Sequence, residues 1–585
     1  MNERIANRSN LNAIDHLGRE LPHWDEVREK QENKIVGLFY YLWLGYHGTQ
    51  GPYDITKILE HDPNAMQNLN SPAWPDYTNA PMLFWGEPMY GYYVSTDEWV
   101  LRRHVQLFVD AGIDVLFFDA TNGFTYKKAY TKLFDILTEL QEKGFEVPKV
   151  CFYLAPITRG CGTGNMMTLW EDLYEPGLYS NLWFYWKGKP LLICHSERTI
   201  PDKIRAFFTW RSPTWQAPDR PNTWAWEGNP QKVSVDENGN PEEIAINVCK
   251  CAMTDQAGNV IHSANMSDAC LGISVHGRSF HDGKKDMREN ASHYGFHFQE
   301  QMDFALKADP PVAFLCQWNE WLVPFLTTHS VNVPNYDYHG LDICFRDEFN
   351  EEYSRDIEPM KGGYRDAYYL QMVSFVRKFK GMTKPAIAHK KETIEINSDF
   401  SQWTGKGICY YEYTGDVAPR NSVAYDAVGR YTNNTGRNEF QVLKVASDEE
   451  NIYFYVRCTG DITPPADHNW MTLLIRNPKS SQPSWNGYQY AVNRIFQNNR
   501  QCQLEKCGAN QMYCWQKIGC MDYLYCKNEM HLKIPKSMLD ISGKSFSLEF
   551  KWSDHMQNED VMDFYVNGDA APRGRMNYVY YFQEL

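Results

Sequence analysis

From residue 35 onward the chain alternates short, continuous apolar runs with amphipathic stretches. Residues 35–42, 114–122, 150–154, 190–194, 207–210, 223–226, 244–249 and 312–316 are rich in β-branched and aromatic side chains and carry no helical stripe. That is the pattern of strands buried on both faces. Between them, 96–111 reads as a helix, with Thr96 as cap, Asp97 and Glu98 in its first turn, and Val100, His104, Leu107 and Phe108 on one face. Gly112 ends it. Further helices are predicted over 128–143 and near 166–174. Strands alternating with helices predict parallel βαβ units, and eight of them predict a (β/α)8 TIM barrel with long inserts, over residues 1–385. The runs near Phe207 and Ile244 are the least pronounced of the set, so another strand count stays open.

Past residue 380 the pattern changes. Runs such as 451–456, 470–475, 546–550 and 563–566 are short, aromatic or β-branched, and separated by Gly, Asn and Pro turns with no amphipathic helix between them. Residues 390–585 therefore read as an all-β sandwich, joined to the barrel by a short linker over 381–389. At 585 residues the chain exceeds the size at which one core keeps growing, so two or more domains are expected.

Composition narrows the partners. Aromatic residues make up 15% of the chain, with 19 Trp and 37 Tyr, more than cores require and suited to flat or amphipathic ligands, carbohydrate first among them. The formal charge of −15 and the absence of a Lys/Arg block argue against nucleic acid and anionic membranes. Residues 1–30 are polar throughout, with no apolar signal core or membrane span, so the expected location is cytoplasmic, or secreted or periplasmic if the N-terminus was truncated. The 15 cysteines are scattered through apolar runs like small buried hydrophobes, without disulfide or zinc spacing. No cofactor or metal is called for.

The candidate chemistry lies at strand ends. The run 312–316 gives way to Gln317-Trp318-Asn319-Glu320-Trp321, a carboxylate between tryptophans. Indole faces can stack on a pyranose while the carboxyl group trades protons with a glycosidic oxygen. In a barrel the active site sits where strands end, which makes Asp119 and Glu227 the other carboxylate candidates, with His195 and Glu197 beside them. Each has a plainer reading as a cap, a rim ion pair or core. Tyr40 and Trp43 leave the first strand into a long loop, 43–94, that also holds Trp85; loops of this length are usually functional. Trp226 precedes Glu227. Arg278 and His281 lie in Gly-Arg-Ser-Phe-His-Asp-Gly, either a sugar-binding loop or an ordinary polar turn. Gly160, Gly162 and Gly164 lack the Lys-Ser/Thr ending of a phosphate loop.

Two stretches carry a resemblance. Tyr90-Gly-Tyr-Tyr-Val-Ser-Thr-Asp-Glu-Trp99, followed by a helix and Ala-Gly-Ile-Asp-Val-Leu-Phe-Phe-Asp-Ala-Thr-Asn122, together with Gln317-Trp-Asn-Glu-Trp321, resembles family 99 and family 71-like glycoside hydrolases over roughly residues 30–380. The resemblance implies a TIM barrel and cleavage of a glycosidic bond in an oligo- or polysaccharide. In family 99 a second glutamate follows the first by three residues; here Glu320 matches the first and Val323 stands at the second. A partner carboxylate must come from elsewhere: Asp119 first, Glu227 second, with Asp356 and Glu358 behind as residues that begin or support the closing helix. The expected mechanism has Glu320 as acid and Asp119 as nucleophile or base, or the reverse, with Trp43, Trp85, Trp226, Trp318 and Trp321 shaping subsites and Tyr40, His195, Arg278, His281 and Asn319 binding substrate. The later part, through Trp403 and 469–476, is similar to family 9 carbohydrate-binding modules, with Trp403, Trp470, Trp485 and Tyr488 as candidates or as core. Two rival functions remain open: a non-catalytic glycan-binding protein on a barrel scaffold, and a metal-dependent hydrolase or lyase using His195, His276 and His281.

Overall fold

A computed structural model describes residues 4–77, 81–154, 162–195, 200–254, 260–262, 265–329, 338–465, 467, 469–498 and 500–584. The chain divides into two compact units. One comprises Gln31–Lys380 with Ser422–Tyr431, and the other Met1–Lys30, Gly381–Asn421 and Thr432–Leu585. The first thirty residues thus group with the C-terminal unit, whereas the expected barrel domain ran over 1–385, and Ser422–Tyr431 group with the first unit.

The first unit is built on eight parallel strands: β1 (Ile35–Tyr40), β2 (Val115–Ala120), β3 (Lys149–Leu154), β4 (Lys189–Ile193), β5 (Thr209–Gln216), β6 (Thr223–Asn229), β7 (Pro241–Asn247) and β8 (Val312–Cys316). They pair in the order β7-β8-β1-β2-β3-β4-β5-β6, each parallel to its neighbour, in a barrel-like sheet. Each of the eight apolar runs overlaps a strand, but the run at 207–210 does so only through Thr209 and Trp210, because Phe207 ends a helix and Phe208 caps it. The ends of the series, β6 and β7, are linked through side chains: Glu243 accepts from the Ala225 backbone N–H (3.2 Å) and Asn247 Nδ2 donates to the Glu227 carbonyl (2.5 Å).

The helical layer is less regular than an eightfold repeat predicts. Helices α1 (Glu98–Ala111), α2 (Lys127–Glu142), α3 (Gly162–Leu169), α4 (Asp202–Phe207), α5 (Phe296–Ala308) and α6 (Ala367–Lys380) accompany the strands, but the described β5–β6 and β6–β7 connections contain none. Ser212 already pairs with Thr223, so the return from β5 to β6 is too short to hold a helix. The cap of α1 is Asp97, whose side chain accepts from the Trp99 N–H, and not Thr96; Gly112 closes the helix in the left-handed region at φ 75°.

Barrel strands bury alternate side chains on opposite sides, and aromatic rings fill the interior. Phe39 lies edge-on to Tyr153 (5.3 Å) and Phe314 (5.5 Å), and Phe117 packs on Phe314 at 4.6 Å. Gly37 makes room for this layer: a Cβ there would come within 2.2 Å of the Phe117 ring. The next residue out of register, Tyr40, faces the other way and bonds His104 of α1 (2.9 Å).

The second unit is a β-rich body whose strands follow one long, mostly antiparallel path. The strand Trp515–Cys526 pairs along its first part with Gln501–Cys507 and along its last part with Glu529–Pro535. Phe454 and Phe550, from strands far apart on this path, meet edge to face at 5.5 Å. Trp470 and Trp485 are buried here, Trp470 donating to the Thr463 carbonyl (2.7 Å), and Tyr488 donates to Asn577. Among the described residues no helix is long and apolar enough to cross a membrane, and the described cysteines are free thiols.

Candidate active site

At the C-terminal ends of the barrel strands lies a cavity of about 740 Å³. That is ample for a sugar-sized ligand. Its wall includes Asp119 from β2, Glu227 from β6 and Glu320 from the turn after β8, so three carboxylates far apart in sequence border one space. Around them stand Phe39, Tyr41 and Trp43 from β1 and its exit, Tyr153 from β3, Trp215 from β5 and Trp226 from β6. Trp215 is partly open to solvent, and Tyr46 and Phe124 extend the aromatic surface outward from His47, each in ring contact with it. The Trp43 indole N–H is buried without a partner among the described residues.

Glu320 is held by a local network. Its Oε2 accepts from Gln317 Nε2 (2.5 Å) and from the Arg355 guanidinium (2.9 Å), while its backbone N–H donates to Asp356 Oδ1 (2.5 Å). Gln317 is itself fixed by the Tyr41 hydroxyl, which donates to its Oε1 (2.6 Å), and it donates to Glu348 (2.6 Å). The other oxygen of Glu320, Oε1, bonds nothing among the described residues. Burial pushes the Glu320 carboxyl well above the ordinary range, Arg355 opposes this, and the neighbouring Asp347 and Asp356 reinforce it. One guanidinium serves several acids here, so the cluster favours keeping a proton.

Arg355 is placed by backbone bonds between two irregular segments. Gln317 N–H donates to the Arg355 carbonyl (3.2 Å), and the Ile357 and Glu358 N–H groups donate to Gln317 and Trp318 carbonyls (both 3.0 Å). The guanidinium lies over the Trp226 ring (4.8 Å) and pairs with Glu348 (3.2 Å) and Asp347 (3.6 Å) as well as Glu320.

Asp119 is simpler. It is almost fully buried, its Oδ1 accepts from the Thr121 N–H (3.0 Å), and burial raises its pKa from 3.8 to about 6. Glu227 accepts from the Cys251 N–H (2.6 Å), and burial raises it too, against the pull of Arg355 and Lys250.

Several expected residues are elsewhere. Trp318 and Trp321 are fully buried: Trp318 packs on Phe108 of α1 at 4.7 Å, and Trp321 stacks on Trp85 at 4.5 Å. Trp85 and Trp321 donate their indole N–H groups to Asp356 (2.7 Å) and Glu358 (2.6 Å), so both acids anchor tryptophans and neither borders the cavity or starts α6, though Asp356 also holds the Glu320 N–H. Asn319 bonds the Tyr41 backbone and the Tyr93 hydroxyl, which ties the turn after β8 to the exit of β1. Tyr40 points outward to α1. Arg278 is enclosed between the Tyr364 and Tyr368 rings and donates to the Asp356 carbonyl (2.8 Å). His281 bonds Asp282 and Asp286 on an outer hairpin, His276 stacks on Phe280 at 3.9 Å, and neither these nor His195 borders the cavity. Among the described residues no three His, Cys, Asp or Glu side chains are grouped to hold a metal. Glu197 and Gly160 lie outside the described residues.

Val323 explains itself locally. Leu322–Pro324 pairs antiparallel with Met82–Phe84; Met82 and Pro324 face the cavity, while Leu83 and Val323 enter an apolar cluster with Phe325 and Phe345. A carboxylate at 323 would be buried among hydrocarbon. Phe39, Tyr41, Tyr153 and Trp215 were not anticipated at the cavity, nor were Arg346 and Asp347, which with the Glu320 partner Arg355 come from a stretch without helical or strand periodicity; its visible signal was the density of charge in Arg346-Asp-Glu and Arg355-Asp-Ile-Glu.

No family model matches the chain, and no curated protein does. Among solved structures it is similar to the GH99 endo-alpha-mannosidase from Bacteroides thetaiotaomicron, at 13% identity over 59% of this chain and 97% of that one, with a TM-score of 0.31. The same enzyme in complex with BIS-TRIS-propane gives 0.32 at the same identity and coverage. A chain described as a glycoside hydrolase-like protein gives 0.25, at 13% identity over 61% of this chain and 96% of that one.

Proposed function

We propose that the chain is a glycoside hydrolase acting on an oligo- or polysaccharide, with the first unit as a (β/α)8 barrel lacking two of its helices and the second as a β-sandwich. The observation that carries this reading is the meeting of Asp119, Glu227 and Glu320 on the wall of one aromatic-lined cavity. Glycosidic cleavage needs one carboxyl group to protonate the leaving oxygen and another to attack the anomeric carbon or activate water. Glu320 is suited to the first task. Its Oε2 is engaged by Gln317 and Arg355, so its proton resides on Oε1. Donation from Oε1 leaves a carboxylate that Arg355 stabilises as the bond breaks. Asp119 is suited to the second: its Oδ1 holds the Thr121 N–H, and its pKa near 6 leaves it ionised at neutral pH. Glu227 stands as the alternative partner. Trp226, Trp43 and Trp215 offer faces for sugar rings.

The test is release of sugar from a panel of oligosaccharides and aryl glycosides by wild type, Glu320→Gln and Asp119→Asn. Hydrolysis by wild type and its loss in both variants, with folding intact, supports the assignment. Activity retained in both refutes these roles. Binding of a glycan by wild type without hydrolysis of any substrate replaces the reading with a non-catalytic glycan-binding protein, to which the valine at position 323 lends support.

A further inference from the structure

The β-rich unit has a cleft of its own, about 650 Å³. Its floor is one face of a four-stranded antiparallel region, Ile408–Tyr411, Phe440–Ser447, Asn451–Cys458 and Glu529–Pro535. The register aligns Tyr411, Val442, Arg457 and Glu529 in one cross-strand row, and Cys409, Lys444, Tyr455 and His531 in the next. Residues two apart on a strand share a face, so both rows present side chains to the same side. Trp403 closes one end, its indole N–H donating to His531 Nδ1 (3.1 Å), while Tyr411, 41% exposed, stands open at the other.

The charges on this floor are unequally satisfied. Glu529 accepts from the Tyr455 hydroxyl (2.5 Å), and Asp399 at the rim accepts from the Ser401 N–H (2.9 Å). Arg457 has no hydrogen bond or ion pair among the described residues, its Nε is buried, and Glu529 directly opposite lies beyond ion-pair distance. Lys444, diagonal to it on the neighbouring strand, is itself buried, at 8% exposure. A half-buried guanidinium without a counterion is costly unless something supplies one, and its planar fork fits a carboxylate. The exposed ring of Tyr411 beside it suits a flat-faced, polyhydroxylated body, while Trp403 and Tyr455 are buried in an apolar cluster that backs the cleft.

We infer that this cleft is a second, non-catalytic binding site for an acidic sugar, a hexuronate unit whose carboxylate engages Arg457 near Lys444 and whose ring rests against Tyr411. The site is independent of the barrel cavity and does not require the chain to be a hydrolase.

Titration calorimetry on the full chain tests it, using trimers of galacturonate and of glucuronate beside the matching neutral galactose and glucose trimers. Binding of a hexuronate trimer, weaker at 0.5 M salt, reduced about tenfold or more by Arg457→Met and unchanged by Trp226→Ala in the barrel, is the expected result. Equal binding of the neutral trimers overturns the proposal, as does affinity unaffected by Arg457→Met or abolished by Trp226→Ala. No binding of any trimer overturns it too. If Arg457→Met fails to fold, Tyr411→Ala at the exposed end takes its place and must weaken the hexuronate.

Discussion

Asp119→Asn isolates the physical cost of the proposed site. Burial raises the Asp119 pKa from 3.8 to about 6. Holding the charged form in the folded state at pH 8 therefore costs about 3 kcal/mol relative to the unfolded chain. Asparagine keeps the shape and an acceptor for the Thr121 N–H without carrying the charge, so the variant is expected to be more stable than wild type at pH 8. The sign follows from linkage. A carboxyl raised in the folded state gives stability fully present below pH 3.8 and lost as pH rises through about 6. The advantage of the variant should thus be near zero at pH 4, grow between pH 4 and 7, and level off above that. The barrel unit has about 350 residues, and at roughly 2.1 cal/mol/K of unfolding entropy per residue 3 kcal/mol corresponds to about 4 °C. Differential scanning calorimetry at pH 4.5, 6 and 8 measures it on the barrel transition. A Tm difference that does not change with pH, or wild type being the more stable at pH 8, would refute the claim that Asp119 is held at an elevated pKa.

Glu320→Gln should lower kcat by about a hundredfold or more on substrates that need leaving-group protonation, measured against aryl glycosides of graded leaving-group acidity, with the smallest loss on the most acidic aglycone. The wild-type kcat/KM profile should be bell-shaped, with its acid limb near pH 6 from Asp119 and its alkaline limb above the ordinary glutamate range from Glu320; a profile flat from pH 5 to 8 would exclude this pair. Arg355→Met removes the cation shared by Glu320, Asp347 and Glu348 and should destabilise by about 3–5 kcal/mol in urea melts, while moving the alkaline limb to higher pH. Gly37→Ala forces a Cβ into the Phe117 ring, which Phe314 backs, and should cost about 1–3 kcal/mol by chemical denaturation with little change in the pH profile.

What the sequence by itself determined is the set of strands and the carboxylates at their ends. Each of the eight apolar runs before residue 320 contributes to one of eight parallel strands, because a strand buried on both faces needs a continuous hydrophobic segment. Asp119 and Glu227 are at or near strand termini and Glu320 a short turn beyond one, so their shared cavity follows from parallel pairing. The facing of β1 was not legible: Tyr40 was expected at the substrate, but with Phe39 and Tyr41 on the cavity it faces α1, and a run buried on both sides does not show which side is the site. Tertiary structure decided the rest. Nothing local distinguishes Trp226, on the cavity wall, from Trp318 and Trp321, which lie past the end of β8 where the two-residue period lapses; their burial depends on α1 and on Trp85, more than two hundred residues away in the chain. Arg355 pairs with Glu320 only because backbone bonds bring an irregular segment beside Gln317 and Trp318, and irregular backbone has no periodicity to announce it. The grouping of the first thirty residues with the C-terminal unit rests on the same kind of long-range pairing: Arg4–Ile5 join Ile408–Cys409 as a parallel strand. Such pairings are set by whichever edges and faces remain unsatisfied once the whole chain is folded, a property of no single stretch of it.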